Sequence, residues 1–265
     1  IILADPMSFP CQNLILGLDF AFAESPKIGG LASGGQQQGQ NGLFLGNVVY
    51  MSGAVGVALT GNVTVDTVVA QGCRPIGSLM RITESRQNLL VSLDTKSPMD
   101  VLRDVFQSLN DRDRNLMRTS LFLGVVMDEM IDDPDQGDFL IRNVMGMDDN
   151  TGVLAIGEML KEGQLVQFHL RDAQTSTEDI TAVLNRYAQD NRENDLSGAL
   201  LFSCLGRGQY LYGTPNHDTE VFKSMLGKVP LGGFFCNGEI GPVSGTTFLH
   251  GYTSSFGIFR SKAME

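Results

Sequence analysis

The chain has 265 residues, of which 42% are hydrophobic and 18% are charged, a composition typical of a packed soluble protein and not of a disordered one. Acidic side chains outnumber basic ones 30 to 19, and the formal net charge of -11 repels phosphate backbones and anionic lipid surfaces. We therefore expect no nucleic-acid partner. We also expect no transmembrane segment, because no apolar run approaches the ~20 residues that span a bilayer.

Short apolar runs between glycines predict strands, and capping signals with helical periodicity predict fewer helices. Ser97 with Pro98 marks the clearest helix start, and Gly227 marks a helix end. In chain order the predicted elements are a helix over 12–22, strands over 43–50, 54–59, 64–71 and 88–94, a helix over 97–109, strands over 121–126, 139–144, 152–156 and 165–170, a helix over 175–190, a strand over 199–204, a helix over 216–226, and strands over 232–236 and 256–260.

A weak internal repeat links the two ends of the chain. The sequence IGGL at 28–31 and the sequence LGGF at 231–234 each follow a predicted helix and precede a strand that contains a glycine, Gly56 or Gly257. The repeat predicts two related halves that meet near residues 94–98. We expect a mixed α/β (α+β) fold of mainly antiparallel stacked sheets flanked by helices, with domains over 1–95 and 96–265.

The segment VPLGGFFCNGEIGP at 229–242 is the strongest candidate for a ligand site. It places Cys236, Asn237, Gly238 and Glu239 at the end of a strand, where a rigid sheet positions polar groups and glycine lets backbone amides approach a ligand. Two plainer interpretations remain open: Asn237 with Gly238 is a common two-residue hairpin turn, and Cys236 is a small buried side chain.

Arg207 is a second candidate, because it lies between two glycines after the predicted strand 199–204. A guanidinium on such a turn suits bidentate recognition of a carboxylate, and an exposed loop arginine is the alternative. The residues just beyond are interpreted as a helix entrance, with Asn216 as the cap and Asp218 interacting favourably with the helix dipole.

A third candidate is the glycine-rich segment at 28–39, which includes Gly29, Gly30 and Ser33. It lacks the lysine of a P-loop and the spacing of a dinucleotide fingerprint, so nucleotide binding is not expected there. We expect a loop that reaches a pocket with Ser33 and backbone amides as donors.

Neither a metal site nor a cofactor is expected from the sequence. The four cysteines and three histidines are far apart along the chain, which matches neither zinc-ligand spacing nor a dense disulfide framework. Unpaired cysteines favour a reducing compartment.

Several of these runs resemble the FIST family. The runs GALLFSCLGRG at 198–208, PLGGFFCNGEIG at 230–241 and FLHGYTSSFGIF at 248–259 look like the C-terminal part of FIST proteins. The run DPMSF at 5–9 and the stretches 26–35 and 53–73 look like the end of the FIST N-terminal domain, particularly of the cyanobacterial and algal or plant type. By this comparison the usual N-terminal domain begins upstream of Ile1, so we expect the first domain to be incomplete.

The resemblance implies a non-enzymatic sensory module that binds a small ligand such as an amino acid and signals to a partner protein. In that interpretation Arg207 holds a carboxylate, Glu239 an ammonium group, and Asn237 with the glycine amides the remaining polar atoms. The alternatives are an interaction scaffold or a subunit of a larger assembly such as a photosynthetic one, and an enzyme that uses Cys236 and Glu239. The expected location is the cytoplasm or the chloroplast stroma.

Overall fold

The computed structural model describes residues 1–191 and 195–262. The chain is mixed α+β, with 24% helix, 37% strand and several antiparallel sheets, as the sequence predicts. It divides into two compact units: unit 1 comprises Ile1–Gln71 and Thr177–Glu265, and unit 2 comprises Gly72–Ser176. Within the described ranges, no helix is long and apolar enough to cross a membrane.

The elements are numbered in chain order. The helices are α1 Cys11–Ala21, α2 Pro98–Ser108, α3 Asp111–Met117, α4 Ala173–Asp190, α5 Gln209–Tyr212 and α6 His217–Leu226. The strands are β1 Ile2–Ala4, β2 Gly29–Leu31, β3 Leu43–Leu45, β4 Val48–Tyr50, β5 Ala54–Gly56, β6 Thr64–Ala70, β7 Arg74–Arg86, β8 Leu89–Leu93, β9 Leu121–Val126, β10 Phe139–Met147, β11 Leu154–Ile156, β12 Leu165–Leu170, β13 Leu196–Cys204, β14 Leu231–Cys236, β15 Glu239–Val243, β16 Thr246–His250 and β17 Ser254–Arg260.

Unit 2 is a closed antiparallel sheet with the strand order β10-β11-β8-β7-β12-β9. Its interior is filled by fully buried apolar side chains such as Leu90, Leu154 and Phe168, and α2 contacts β7 and β8. The predicted cap of α2 is confirmed, because the side chain of Ser97 accepts a hydrogen bond from the Asp100 amide at 3.1 Å.

Unit 1 stacks two sheets between helices. Sheet 1 has the order β16-β15-β2-β1-β5, and sheet 2 has the order β14-β13-β17-β6. The small cluster of Ile28, Phe202 and Cys236 fills the space between the sheets. Side chains of α1 pack on the outer face of sheet 1, and side chains of α4 and α6 pack on the outer face of sheet 2. Each sheet therefore buries both faces, which explains why its central strands lack a polar side.

The structure contains the internal repeat, and both copies lie in unit 1. Strand β1 pairs parallel with β2 and antiparallel with β5, and β13 pairs in the same way with β14 and β17. Gly29 lies opposite Ile2 and Gly233 lies opposite Leu201, with φ angles of 158° and 146°. A Cβ at either glycine would collide with the carbonyl oxygen of its partner. Gly29 is therefore equivalent to Gly233, one residue away from the predicted alignment.

Residues 94–98, where the halves were expected to meet, lie inside unit 2 and connect β8 to the first residue of α2. Unit 2 instead follows β6 and precedes most of α4, so it separates the two copies of the repeat along the chain. The limits of the compact units thus differ from the predicted sequence domains 1–95 and 96–265, which remain a prediction.

Other differences from the predicted elements have local causes. The predicted strand 43–50 is a hairpin, because Gly46 adopts a φ of 60° and reverses the chain between β3 and β4. The sequence did not predict β1, β2, β7, β15, β16, α3 or α5. Asn216 does precede α6, but in the left-handed conformation and without a side-chain cap, whereas Gly227 ends the helix as predicted.

Candidate functional site

Unit 1 contains a cavity of about 470 Å³ between strands β13 and β14 and the N-terminal turn of α6. This volume lies within the range of small-ligand pockets. The described residues that line it are Leu201, Ser203, Gly208, Gln209, Pro215, Asn216, His217, Asp218, Thr219, Leu231, Gly232, Gly233, Phe234 and Phe235. Apolar side chains of the strands thus face polar groups of the helix and its preceding loop.

A buried ion pair supports the polar wall of the cavity. The Nε and Nη2 atoms of Arg207 donate to the two carboxylate oxygens of Asp218 at 2.7 and 3.1 Å. Arg207 is only 1% exposed, so it lies behind Asp218 and does not reach the cavity itself. Its guanidinium recognises a carboxylate in the bidentate manner expected from the sequence, but the partner is an internal one.

Further donors hold the same carboxylate. The hydroxyl groups of Ser203 and Ser254 donate to Oδ2 of Asp218 at 3.3 and 2.8 Å, and Nδ1 of His217 lies 3.0 Å from Oδ1. Burial alone would raise the pKa of the Asp218 carboxyl, but the charge and hydrogen bonds of Arg207 outweigh it and lower that pKa below its ordinary value. Asp218 is therefore a fixed anion whose own charge is balanced by Arg207.

Both ring nitrogens and one face of the His217 imidazole contact neighbouring side chains. Its Nε2 lies 2.9 Å from the hydroxyl of Thr177, while Nδ1 faces Asp218. The Tyr212 ring stacks on the imidazole with a centroid distance of 3.5 Å, and the Arg207 guanidinium lies 5.6 Å from the centre of the Tyr212 ring. These contacts give the cavity a preorganised polar corner.

The N-terminal turn of α6 supplies donors to the same corner. Residues 217–219 line the cavity, and the first backbone bond of this helix runs from the Glu220 amide to the Asn216 carbonyl. The N–H groups of a first helical turn have no partner within their helix. Asn216 does not cap them with its side chain.

The structure brings two of the sequence-predicted segments together. The chain crosses from β14 in sheet 2 to β15 in sheet 1, so Asn237 and Gly238 form a crossing and not a hairpin turn. The Asn237 amide donates to the Leu31 carbonyl at 3.0 Å, and the Leu31 amide donates to the Gly238 carbonyl at 2.8 Å. The Ser33 hydroxyl donates to the Phe235 carbonyl at 2.5 Å.

Cys236 and Glu239 are both fully buried. The Cys236 thiol lies against Gly30, and burial followed by the nearby Glu239 charge raises its pKa, which disfavours the reactive thiolate. Oε2 of Glu239 accepts a hydrogen bond from the Thr253 amide at 3.1 Å. Roles for these side chains in ligand binding remain predictions.

The predicted site residues and the cavity are neighbours but not the same set. Of the described residues that line the cavity, none is among Gly29, Gly30, Ser33, Arg207, Cys236, Asn237, Gly238 and Glu239. Arg207 contacts the cavity wall through Asp218, and Ser33 contacts it through Phe235. The sequence indicates Asp218 only as part of a helix entrance and assigns no role to Ser203.

Comparison with known proteins identifies the family. The FIST N domain model matches residues 1–96, and the FIST C domain model matches residues 98–242. The chain belongs to the FIST family. FIST domains are sensory domains thought to bind small ligands in signalling.

The relatives of this FIST protein are mainly bacterial. Uncharacterized proteins of Mycobacterium tuberculosis and Mycobacterium bovis are 39% identical to it over 98% of this chain and 67% of their own length. An F-box/LRR-repeat protein of Arabidopsis thaliana is 30% identical over 44% of this chain and 25% of its own length. The expected cyanobacterial or algal and plant type is therefore not supported, and the bacterial relatives argue against a plastid location.

Proposed function

We propose that this FIST protein is a sensory module whose cavity beside β14 binds an amino acid or a small carboxylate, and that it passes the signal to a partner protein. The observation that carries the proposal is the preorganised corner formed by the first turn of α6 with the Arg207–Asp218 pair behind it. Because Asp218 is balanced by Arg207, the positive end of the helix dipole is left for a ligand anion.

The proposed binding mode follows from the two kinds of cavity wall. The carboxylate of the ligand accepts hydrogen bonds from the amides of residues 217–219, and its side chain lies against Leu201, Leu231 and Phe235. Arg207 positions the corner through Asp218 and does not touch the ligand. We propose no chemistry on the ligand, since burial raises the pKa of the Cys236 thiol.

A thermal-shift screen against amino acids and small carboxylates tests the proposal. A ligand at 100 times its dissociation constant adds about 2.7 kcal/mol to the free energy of unfolding, which raises the melting temperature by several degrees. Asn216→Asp places a second carboxylate at the mouth of the cavity and should abolish the shift by repelling the ligand anion.

A matched control separates this local effect from net charge. Lys223→Ala changes the net charge by the same single unit on α6, but the Lys223 side chain is 59% exposed and does not line the cavity. We expect the shift to persist in Lys223→Ala. A shift that survives in Asn216→Asp would refute carboxylate binding at the end of α6.

A second candidate function is an interaction scaffold. The hairpin of β3 and β4 exposes apolar side chains, with Phe44 70%, Val48 51% and Val49 50% exposed. A screen in which no compound shifts a cooperatively melting protein would favour this candidate.

A further inference from the structure

Among the described residues, no strand pairs with the outer edge of β14, whereas the outer edge of β2, its counterpart in the repeat, is covered. Strand β14 ends the order of sheet 2, and residues 232–235 are all exposed, including Phe235 at 48%. Every residue of the equivalent strand β2 is buried. The two strands occupy equivalent places beside β13 and β1, so the difference lies in what covers the outer edge.

In sheet 1 the outer edge of β2 pairs with β15. The strands are antiparallel, with Ile240 opposite Gly29 and Glu239 opposite Gly30. Ile240 is fully buried in the cluster that includes α1 side chains, and Thr247 of the following strand β16 donates to Asp19 of α1. A two-stranded extension thus fills the space between β2 and α1.

The described residues form no equivalent extension of sheet 2, because the chain does not continue alongside β14 after Ser33. In one copy of the repeat, the backbone amide of Asn237 donates to the Leu31 carbonyl and the chain continues as β15. At the equivalent position, the side chain of Ser33 donates to the Phe235 carbonyl. The following hairpin, β3 with β4, forms a separate two-stranded sheet and does not pair with β14. The cavity lies between β14 and α6, where the repeat would place an added strand.

We propose that this edge binds an extended peptide as an additional antiparallel strand. The inference goes beyond the proposed function: one peptide side chain enters the same cavity, but the main chain of the peptide, and not a carboxylate, makes the hydrogen bonds. The occupant is argued from the molecule itself: the other copy of the repeat fills the equivalent edge with an antiparallel strand.

The hydrogen-bonding groups of β14 fit this role. Its bonds to β13 use Pro230 and Cys236 as acceptors, so the alternating residues Leu231, Gly233 and Phe235 direct their amides outward. The strand sequence LGGFFC contains neither a lysine nor a proline, the residues that usually protect an exposed edge.

The repeat also predicts the side chain that enters the cavity. Ile240 lies opposite Gly29 and faces α1, so the peptide residue opposite Gly233 faces α6 and the cavity. The wall there includes Leu201 and Leu231, which favours an aliphatic side chain. A peptide with a central isoleucine should therefore bind more tightly than one with a central lysine.

Blocked pentapeptides of the sequence Thr-Thr-Ile-Thr-Thr provide the probe, with binding measured by calorimetry. In the proposed register the isoleucine amide donates to the Gly233 carbonyl, and the amide of the next threonine points to solvent. Methylation of the isoleucine nitrogen should weaken binding about tenfold or more, and methylation of the threonine nitrogen should change it by less than about threefold.

Two protein variants test the edge from the other side. Phe235→Pro removes the outward amide, whereas Phe235→Ala removes the same aromatic ring and keeps that amide. We expect peptide binding to be lost in Phe235→Pro and retained in Phe235→Ala, and hydrogen exchange at the Gly233 amide of the wild-type protein to slow when peptide is added. If Phe235→Pro does not fold, the methylated peptides still decide the matter.

The outcomes separate this inference from the proposed function. If amino acids raise the melting temperature but the isoleucine peptide does not bind, the small-ligand function stands and the strand-addition inference fails. Equal binding of the two methylated peptides would also overturn it. Sedimentation experiments could show a dimer that dissociates in Phe235→Pro but does not dissociate when peptide is added. That result would also overturn the inference, because the edge would then bind a second copy of the chain. If neither amino acids nor peptides bind, both ideas fail.

Discussion

Removing the charge of Asp218 should destabilise unit 1 strongly. In Asp218→Asn the Arg207 guanidinium keeps its charge while its side chain is fully buried. The amide oxygen introduced in this variant can still accept a hydrogen bond from Arg207, but the carboxylate charge is lost, and Asp179 is the acidic group that still acts on the guanidinium. Breaking one side of a buried ion pair costs about 3–5 kcal/mol, and we expect a loss in this range.

The reverse substitution should cost less, and this asymmetry follows from the contacts of each partner. In Arg207→Met the carboxylate of Asp218 retains donors from Ser203, Ser254 and His217. These donors partly compensate for the lost guanidinium, because a hydrogen bond to a charged group contributes about 1.5–3 kcal/mol. We therefore expect Arg207→Met to lower the free energy of unfolding by only about 1–3 kcal/mol. The double variant should be less destabilised than the sum of the single variants, because the two groups are in direct contact.

Urea unfolding followed by circular dichroism measures these losses, since the chain has no tryptophan. Glu220→Gln is the matched control: it makes the same chemical change in the first turn of α6, but its ion pair with Lys223 is exposed and 3.9 Å long, so the loss should stay below about 0.5 kcal/mol. The reasoning is refuted if Asp218→Asn costs less than about 1 kcal/mol, or if Arg207→Met costs more than Asp218→Asn.

Two further predictions concern stability. Gly29→Ala should lower the free energy of unfolding in urea by more than about 2 kcal/mol, because the added Cβ meets the Ile2 carbonyl. Gly17→Ala in α1 adds a Cβ in open space and should raise that free energy by about 0.5–1 kcal/mol. Similar losses in the two variants would contradict this prediction. Burial lowers the pKa of His169 in unit 2 from 6.5 to about 4. The neutral imidazole therefore makes its full contribution to the free energy of unfolding above pH 6.5, and this contribution is lost as the pH falls toward 4. Over that range the wild-type protein should lose about 3 kcal/mol more than His169→Gln, and equal losses would sink the prediction.

The sequence predicted the elements whose signals are local. The helix after Ser97 begins with a capping side chain and a proline, and both act within one turn. Strand β2 escaped prediction because Gly29 and Gly30 suggest a loop, although each glycine is required where another chain segment comes close. Its identity as a strand depends on β1 and β15, which lie far away along the sequence.

The site was only partly predictable for the same reason. Arg207 was recognised as a group suited to a carboxylate, but its partner Asp218 looked like an ordinary first-turn residue of a helix. The pair joins the turn after β13 to the start of α6, and no periodicity in the sequence records such a contact. The cavity could not be predicted at all, because it is defined by the edge of a strand that nothing in the described part of the chain covers.

The two copies of the repeat explain why the open edge lies at β14 and not at β2. Both copies place a glycine of positive φ beside the central strand, so both strands can receive a neighbour. They diverge at the equivalent positions Asn237 and Ser33. The backbone amide of Asn237 donates to the Leu31 carbonyl, whereas the side-chain hydroxyl of Ser33 donates to the equivalent carbonyl of Phe235. A backbone bond commits the chain to run alongside its partner as a strand, whereas a side-chain bond satisfies the carbonyl and lets the chain leave. One copy therefore completes the fold, and the other leaves the same edge without a paired strand in the described part of the chain.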